Sequence, residues 1–533
     1  MKMKKPFIHI VSFSALLACG MFLGSCTGNY ENWNINPNEA TPGQMEQDNL
    51  KTGAYFAQME KGVFIVGKDM GGEYQITEML CGDIFASYVA NINTFSYATY
   101  HNDHYALYRD WYNMPFNDAF TQIMQPWLAI DSEVDSSSPT WAMATIIKVL
   151  GMNRITDMYG PIPYTRFGTT TKVPYDSQKD VYYKFFEELD TAIKTLTSYD
   201  EKNTARYMEK YDYIFSGNVK KWIKFANTLR LRLAMRISNV DPTKAKTEAE
   251  AAINHGSGLM ASADDSAILH QTTALSFVNP IWEVSESFND MRMGATMDCY
   301  LNGYNDPRRA AYFRTATNDG AYHGVRNGMD NINKDAYKVA ASGINYQSNS
   351  NLPWMWASEA YFLMAEAKLK FDLGTETVQK YYEDGVRTSF SEQGASGVDA
   401  YLNNDTSLPL ERYTDPVSNR GTDVKSMLSR VTVKWDDNAR DDQKLERIMV
   451  QKWIALFPDG VEAWSEMRRT GYPGFVRIAS YDHTSEVASG ELISRLKFPT
   501  TEYSNNSQNT QAAVSLLGGQ DIAGTRLWWD VER

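Results

Sequence analysis

Helical periodicity is the feature that most constrains how this 533-residue chain can fold. In two long segments the apolar side chains recur at three- and four-residue steps, a spacing that places them on one face of an α-helix. The first stripe consists of Tyr182, Phe185, Leu189, Ile193 and Leu196, and the second of Trp222, Phe225, Ala226, Leu229, Leu233 and Ile237. Asp241 and Pro242 end the second helix, because proline cannot continue it. We therefore expect a mainly α fold.

The predicted helices come in neighbouring pairs. The pairs are 139–158 with 179–198, 218–237 with 243–254, and 357–373 with 376–390. The segment Trp141 to Met158 is apolar on nearly all sides, so we expect a buried central helix. Two further helices, 445–457 and 461–468, are separated by a Pro-Asp-Gly turn. Pairs that bury one face against the next pair predict a tetratricopeptide-like core, although no clean 34-residue repeat is visible.

Three long segments without clear periodicity separate these helices. Residues 91–105, 270–356 and 393–440 are rich in Asn, Gly, Tyr and Asp. Loops of this length in a compact body usually carry function. We therefore expect one body over 45–533, with a loop-rich subdomain at about 270–440.

The N-terminus has the layout of a secretory signal peptide. Three lysines within the first five residues precede an apolar run over 6–23, and residues 23–26 read Leu-Gly-Ser-Cys, a bacterial lipobox. We predict removal of residues 1–25 and attachment of a diacylglycerol anchor to Cys26. Cys19 ends a rival lipobox, but cleavage there leaves apolar residues 21–23 on the mature protein. The run is also short for a membrane span and is followed by a polar segment, 26–44, which is predicted to be a flexible stalk.

Charge and cysteine content narrow the possible partners. The formal net charge is −13, and the predicted signal peptide carries lysines and no acid, so nucleic acid and anionic lipid are poor partners. No second apolar run approaches about 18 residues, so we expect membrane contact through the lipid alone.

Cys81 and Cys299 are too few for a disulfide scaffold. They either pair or stay buried thiols, and we favour thiols.

Several short segments together resemble the SusD/RagB family of outer-membrane nutrient-binding lipoproteins, in particular its SusD-like branch. These are Cys26 with residues 34–38, 156–164, 221–232, 305–308, 358–367, 452–469, 495–499, Glu502 and Asn506. The resemblance implies a tetratricopeptide-type core with a large, irregular, loop-rich face that binds the ligand. It also implies a lipid-anchored protein on the outer leaflet that sits over a TonB-dependent, SusC-like barrel and captures oligosaccharides, or peptides in some members.

Aromatic residues in polar loops are the candidate ligand contacts, since a flat ring can stack on the apolar face of a sugar. Of the 13 Trp, 32 Tyr and 23 Phe, most are expected in the core, including the helical Trp141, Trp222, Trp453 and Trp464. Family members place binding aromatics roughly where this chain has its 91–105 segment, which also carries Asn, Asp and His. The candidates are Phe95, Tyr97, Tyr100 and Tyr105, and a second group of Trp282, Tyr300, Tyr304 and Trp354.

Signatures of enzymes, metals and cofactors are weak. His101 and His104 lack a third placed ligand, and the acidic run at 436–442 lacks the spacing of a calcium loop, so no metal is predicted. The chain contains no H-E-x-x-H, G-x-S-x-G or phosphate-binding glycine loop. We expect a binding protein that uses no cofactor. The alternatives are a peptide-binding relative and a lipid-anchored all-α glycoside hydrolase, whose paired carboxylates leave no local sequence trace.

Overall fold

The computed structural model describes residues 49–67, 70–98 and 100–532. The predicted signal peptide, Cys26 and the stalk 26–44 lie outside these residues. The chain divides into a short unit, Met1–Gly53, of which only the start of the first helix is described, and a body, Ala54–Arg533. The segment 270–440, predicted to form a subdomain, belongs to this second unit. No helix within the described ranges is long and apolar enough to cross a membrane.

Helices make up most of the regular structure, which confirms the mainly α prediction. They are α1 Leu50–Gly62, α2 Gly71–Tyr74, α3 Arg109–Ala119, α4 Gln125–Asp131, α5 Pro139–Tyr159, α6 Gln178–Asp200, α7 Val219–Arg236, α8 Pro242–Ile253, α9 Pro280–Trp282, α10 Ala295–Gly303, α11 Arg309–Tyr312, α12 Lys334–Ala340, α13 Ser358–Phe371, α14 Val378–Glu392, α15 Val398–Leu402, α16 Asp441–Leu456, α17 Gly460–Thr470, α18 Thr500–Asn505 and α19 Ser507–Leu516. Within the described residues, three π-helical segments, Gln75–Asp83, Phe120–Met124 and Glu283–Ser287, directly follow α2, α3 and α9.

The three predicted helix pairs are present and form the core. Helix α5 packs on α6, α7 on α8 and α13 on α14. Their ends follow from capping: Ser138, Ser177 and Asp241 each accept a backbone N–H in the first turn of the next helix, and Pro139 and Pro242 occupy first-turn positions. Helix α5 is buried along nearly its whole length, as its apolar sequence predicts.

The segments predicted to be long loops contain short regular elements. In the part of the chain that the structure describes, three antiparallel two-stranded ladders lie in these segments or join them to neighbouring residues. They pair β1 Val89–Asn91 with β3 Met291–Met293, β2 Ala267–Leu269 with β4 Leu352–Met355, and β5 Arg412–Thr414 with β6 Gly421–Asp423. Helices α9 to α12 lie within 270–356, and α15 lies within 393–440. The loop prediction was therefore too simple for these segments. Elements of three to nine residues are too short to show a hydrophobic period.

A buried charge network joins α7, α13, α16 and α17. We define it as Arg232, Arg236, Glu359, Glu366, Lys452, Glu462, Glu466 and Arg469, all of which are buried. Arg232 Nε donates to Glu359 Oε1 at 2.9 Å, and Lys452 Nζ donates to Glu466 Oε2 at 3.0 Å. Burial alone would raise the pKa of Glu466, but Arg469, Lys452 and Arg236 outweigh it and hold that pKa well below its usual value.

The two cysteines of the body are free and buried. Burial raises the pKa of both the Cys81 and the Cys299 thiol above its usual value. The preference for buried thiols over a disulfide is confirmed, and both side chains behave as small apolar groups in the core.

Candidate ligand-binding site

The first predicted segment, 91–105, is a loop held in shape by its own asparagines. Asn91 Nδ2 donates to the Asn93 carbonyl at 2.8 Å, and the Asn93 amide donates back to Asn91 Oδ1 at 2.9 Å. Asn93 Oδ1 then accepts the amide of Phe95 at 3.1 Å, and Phe95 itself has a left-handed φ of 40°. Further along, Asn102 Nδ2 donates to the Leu80 carbonyl at 2.8 Å. These amides therefore fix the backbone and are already engaged within the protein.

Asp290 braces this loop against two other elements. Its carboxylate accepts Asn93 Nδ2 at 2.9 Å and Gln75 Nε2 at 2.8 Å, and it pairs with Lys334 at the start of α12. The Asp290 amide donates to the carbonyl of Val284, in the π-helical segment after α9, at 3.0 Å. Asp290 thus links three parts of the chain: the π-helix after α2, the loop 91–105 and its own segment after Trp282. These links give the loop a rigid base.

An aromatic cluster around the buried Trp111 forms the centre of this region. We define the aromatic platform as Phe95, Tyr97, His101, Tyr108 and Trp111. The rings of Phe95 and Tyr108 meet Trp111 edge-on, with centroids 5.1 and 5.2 Å away, and Tyr97 does so at 6.5 Å. Trp111 is buried beneath them, whereas Tyr97 is 64% exposed. The arrangement presents the Tyr97 ring to solvent on a supported base, the geometry that a stacking contact needs.

The four candidates of this loop therefore take different positions. Tyr97 and Tyr100 are exposed, the latter at 40%. Phe95 is buried beneath Tyr97, and Tyr105 is buried between Phe85 and Tyr481, with ring centroids 6.0 and 5.7 Å away. Only the exposed pair has ring surface open to a ligand.

The second predicted group is mostly core. Tyr300, Tyr304 and Trp354 are fully buried. The Tyr300 hydroxyl donates to the Gly474 carbonyl at 2.8 Å, and the Tyr304 hydroxyl donates to the Val431 carbonyl at 2.7 Å. Trp282 is half-buried at the end of α9, where its amide donates to Asn279 Oδ1. The structure does not bring these three rings to a surface, and the Tyr300 ring packs between Tyr304 and Trp453, with ring centroids 6.0 and 5.4 Å away.

His104 ties the loop to a neighbouring one. Its Nδ1 lies 3.2 Å from Asp103 Oδ1, and its Nε2 lies 3.3 Å from Asp330 Oδ1. Partial burial lowers the pKa of His104, but hydrogen bonds and charge from the two aspartates outweigh burial and leave that pKa above its usual value. Within the described ranges, no group of three or more His, Cys, Asp or Glu side chains is arranged to hold a metal ion.

Two platform residues lie outside the segment that the sequence predicts. Trp111 and Tyr108 lie at the start of α3, outside the loop that the polar composition indicated. The available signal was the run Tyr108-Arg109-Asp110-Trp111-Tyr112, three aromatic residues around an exposed ion pair whose Nε–Oδ1 distance is 3.0 Å. Aromatics at a loop-to-helix junction deserve the same weight as those inside a loop.

Comparison with known proteins identifies the family. The model of the SusD-like family, described as SusD and RagB outer-membrane lipoproteins, matches residues 32–530. The chain belongs to the SusD-like family. No curated protein gave a significant match. The members of this family are outer-membrane lipoproteins, and the matched region begins shortly after Cys26.

Solved structures of SusD homologs resemble this SusD-like chain over nearly its whole length. A chitin-binding SusD homolog from Flavobacterium johnsoniae is 37% identical, and the match covers 90% of this chain and 99% of the homolog, with a TM-score of 0.85. A homolog from Bacteroides uniformis is 36% identical with the same coverage and a TM-score of 0.82. One from Bacteroides vulgatus is 32% identical over 91% of this chain and 99% of its own, with a TM-score of 0.84.

Proposed function

We propose that this protein is a cell-surface receptor that captures an oligosaccharide on the aromatic platform and delivers it to a TonB-dependent, SusC-like barrel. The observation that carries the proposal is the exposed Tyr97 ring supported by buried Trp111. A sugar ring can stack on this surface without first having to order the loop, because Asn93 and Asp290 already hold the backbone. The similarity to a chitin-binding homolog supports a glycan as the ligand class.

A glycan array followed by titration calorimetry tests the binding step. For the best glycan, Tyr97→Ala should weaken binding by about tenfold, the loss of one central aromatic contact. Tyr97→Phe keeps the ring and should stay within about threefold of the unaltered protein. Leu516→Ala, on the exposed face of α19, is the control for loss of surface apolar area. An alanine variant that binds as well as the control would contradict the platform assignment.

A peptide ligand is the first alternative, because peptide binders are known in the family. The same array should include peptide libraries of mixed length. If no glycan on the array binds and a peptide binds in a way that Tyr97→Ala abolishes, the hypothesis of a peptide ligand is favoured. Exposed tyrosines bind peptides as readily as sugars, so the ligand class is decided by the array and not by the ring.

A glycoside hydrolase is the alternative from another class. Burial raises the pKa of Glu78 to about 7 and that of Asp83 well above its usual value, in both cases against the positive charge of Arg154. Both carboxyls are buried in the core near Arg154, without an opening to solvent on which a glycan could be held. We therefore propose binding without turnover. Purified protein incubated with polysaccharides should release no new reducing ends, and measurable release would overturn this part of the proposal.

Membrane attachment and the partner are tested in cells. Cys26→Ala should give a folded, ligand-competent protein that no longer sediments with membranes, whereas Cys19→Ala should leave sedimentation unchanged. Retention of the Cys26 variant in membranes would point to another anchor. For the partner, affinity purification of tagged protein from gently solubilised outer membranes should recover a TonB-dependent barrel. Surface proteolysis of intact cells tests the outward orientation, since only an outward-facing body is degraded.

A further inference from the structure

A basic groove separate from the aromatic platform lies beside α12. Its volume is about 560 Å³, within the range of about 300–1,000 Å³ that is usual for small-ligand sites. The π-helical segment Glu283–Ser287, the chain that follows α11 and the C-terminal half of α12 form its walls. The charged side chains that line it are Glu286, Arg292, Arg314 and Lys338.

Arg292 is a buried cation at the base of this groove. It is 3% exposed, and its guanidinium donates to the carbonyls of Ser285 and Met291 at 2.7 Å and to that of Lys338 at 3.2 Å. No carboxylate of the described residues forms an ion pair with it. Burial lowers its pKa to about 10, and the charge of Asp290 offsets burial only in part. The fixed positive charge is therefore only weakly neutralised by the protein itself.

Two exposed cations add to the positive charge of Arg292 at the groove. Lys338, in the last turn of α12, is exposed and has no ion-pair partner in the described part of the chain. Arg314 pairs with Glu286, the one carboxylate among the described residues that line the groove. Three cations therefore face one acid, in a protein whose net charge is −13. A local excess of positive charge against an acidic background concentrates anions at the groove.

The remaining lining suits a sugar. Thr315 and Asn345 are exposed polar groups, and half-buried Tyr322 offers an aromatic ring, over which the guanidinium of Arg309 lies 4.4 Å from the ring centroid. Hydroxyls and amides match the hydrogen-bonding groups of a sugar ring, while the exposed Lys338 and Arg314 can make charge-assisted hydrogen bonds to an anionic substituent. Arg292 adds its positive charge from below, since its own N–H groups already donate within the protein.

We infer that this groove binds an anionic sugar unit, one that carries a carboxylate or a sulfate ester, as a contact point for the glycan additional to the aromatic platform. The inference rests on the proposed glycan-binding function and narrows its ligand class. Glycans that carry such a unit should bind more tightly than their neutral counterparts, and the advantage should shrink as salt is added.

Matched pairs of sugars test the inference. The probes are glucuronate with glucose, galacturonate with galactose, N-acetylneuraminate with its methyl ester, and galactose-6-sulfate with galactose, titrated at low salt. At least one anionic member should bind about tenfold more tightly than its neutral partner, the size of one charge-assisted hydrogen bond. Lys338→Gln combined with Arg314→Gln should reduce the advantage to about threefold or less, and Lys338→Glu should abolish it. Both positions are exposed, so the variants should fold, which thermal melting checks.

Lys194→Gln is the matched control, since Lys194 is an exposed lysine on α6 outside the groove. It should leave the anionic preference unchanged. The inference is overturned if no pair shows a preference, if the preference survives in the double variant, or if tetraglutamate binds more tightly than every anionic sugar. Its failure is distinguishable from failure of the proposed function, because neutral glycan binding that depends on Tyr97 would remain in the first two cases.

Discussion

Replacing Arg232 by methionine removes one cation from the centre of the buried charge network. Arg232 is bonded to Glu359 and lies 3.7 Å from a Glu462 oxygen and 3.9 Å from an Asp459 oxygen. The substitution therefore leaves buried carboxylates short of their neutralising charge, with Lys452 still 3.6 Å from Glu359. Methionine fills much of the same volume, so the effect reports charge more than packing.

The expected cost is about 3–5 kcal/mol in the free energy of unfolding, the range found when one partner of a buried ion pair is removed. Urea unfolding followed by tryptophan fluorescence measures it. Adding Glu359→Gln to Arg232→Met should recover part of the loss, because it removes the carboxylate that was left without its partner. Lys194→Met is the control: it breaks an exposed pair with Asp190 and should cost less than about 1 kcal/mol. A cost for Arg232→Met no larger than this control would refute the reasoning.

Three further predictions concern pH and packing. Glu60 is buried, and desolvation raises its pKa well above the usual value near 4.5. Its contribution to stability is therefore complete at low pH and is lost as pH rises. In urea unfolding from pH 5 to pH 8, Glu60→Gln should become increasingly stabilising relative to the unaltered protein. Asp330→Asn should lower the pKa of His104, measured by NMR titration of the ring protons, and an unchanged pKa would mean that this contact does not form in solution. A Cβ on Gly460 would lie 2.6 Å from the Cα of Asp83, so Gly460→Ala should cost about 1–3 kcal/mol in unfolding free energy, whereas Gly256→Ala, with no heavy atom within 4 Å, should cost far less.

The long helices were predictable because each repeats its apolar pattern over several turns. The three pairs were located to within about two residues, and the central helix α5 is buried as its all-round apolar sequence indicates. The short helices and strands of 270–356 were not predictable, since tertiary contacts and not local period define them. The burial of two arginines of α7 was not predictable either. Arg232 and Arg236 are fully buried because partners more than 100 residues away along the chain neutralise them.

The candidate site was predictable in region and not in detail. The polar, aromatic loop 91–105 does carry the exposed Tyr97 and Tyr100. The same segment also contains Phe95 and Tyr105, which the structure buries under neighbouring rings. A sequence does not distinguish a ring that faces solvent from one that supports it, because the supporting contacts come from α3 and from residues near 481, far along the chain.

The segments that carry the family resemblance build the scaffold and not the aromatic platform. Arg232, Glu359, Lys452 and Glu466 of the buried charge network all fall within them, whereas Tyr97 does not. The same scaffold can therefore present different surface rings and different ligand preferences. Because the two sets of residues share no contacts among those described above, their effects should separate. Substitution of Tyr97 should weaken binding with little change in unfolding free energy, and the double substitution of Arg232 and Glu359 should lower stability while the affinity of the folded protein stays within about twofold.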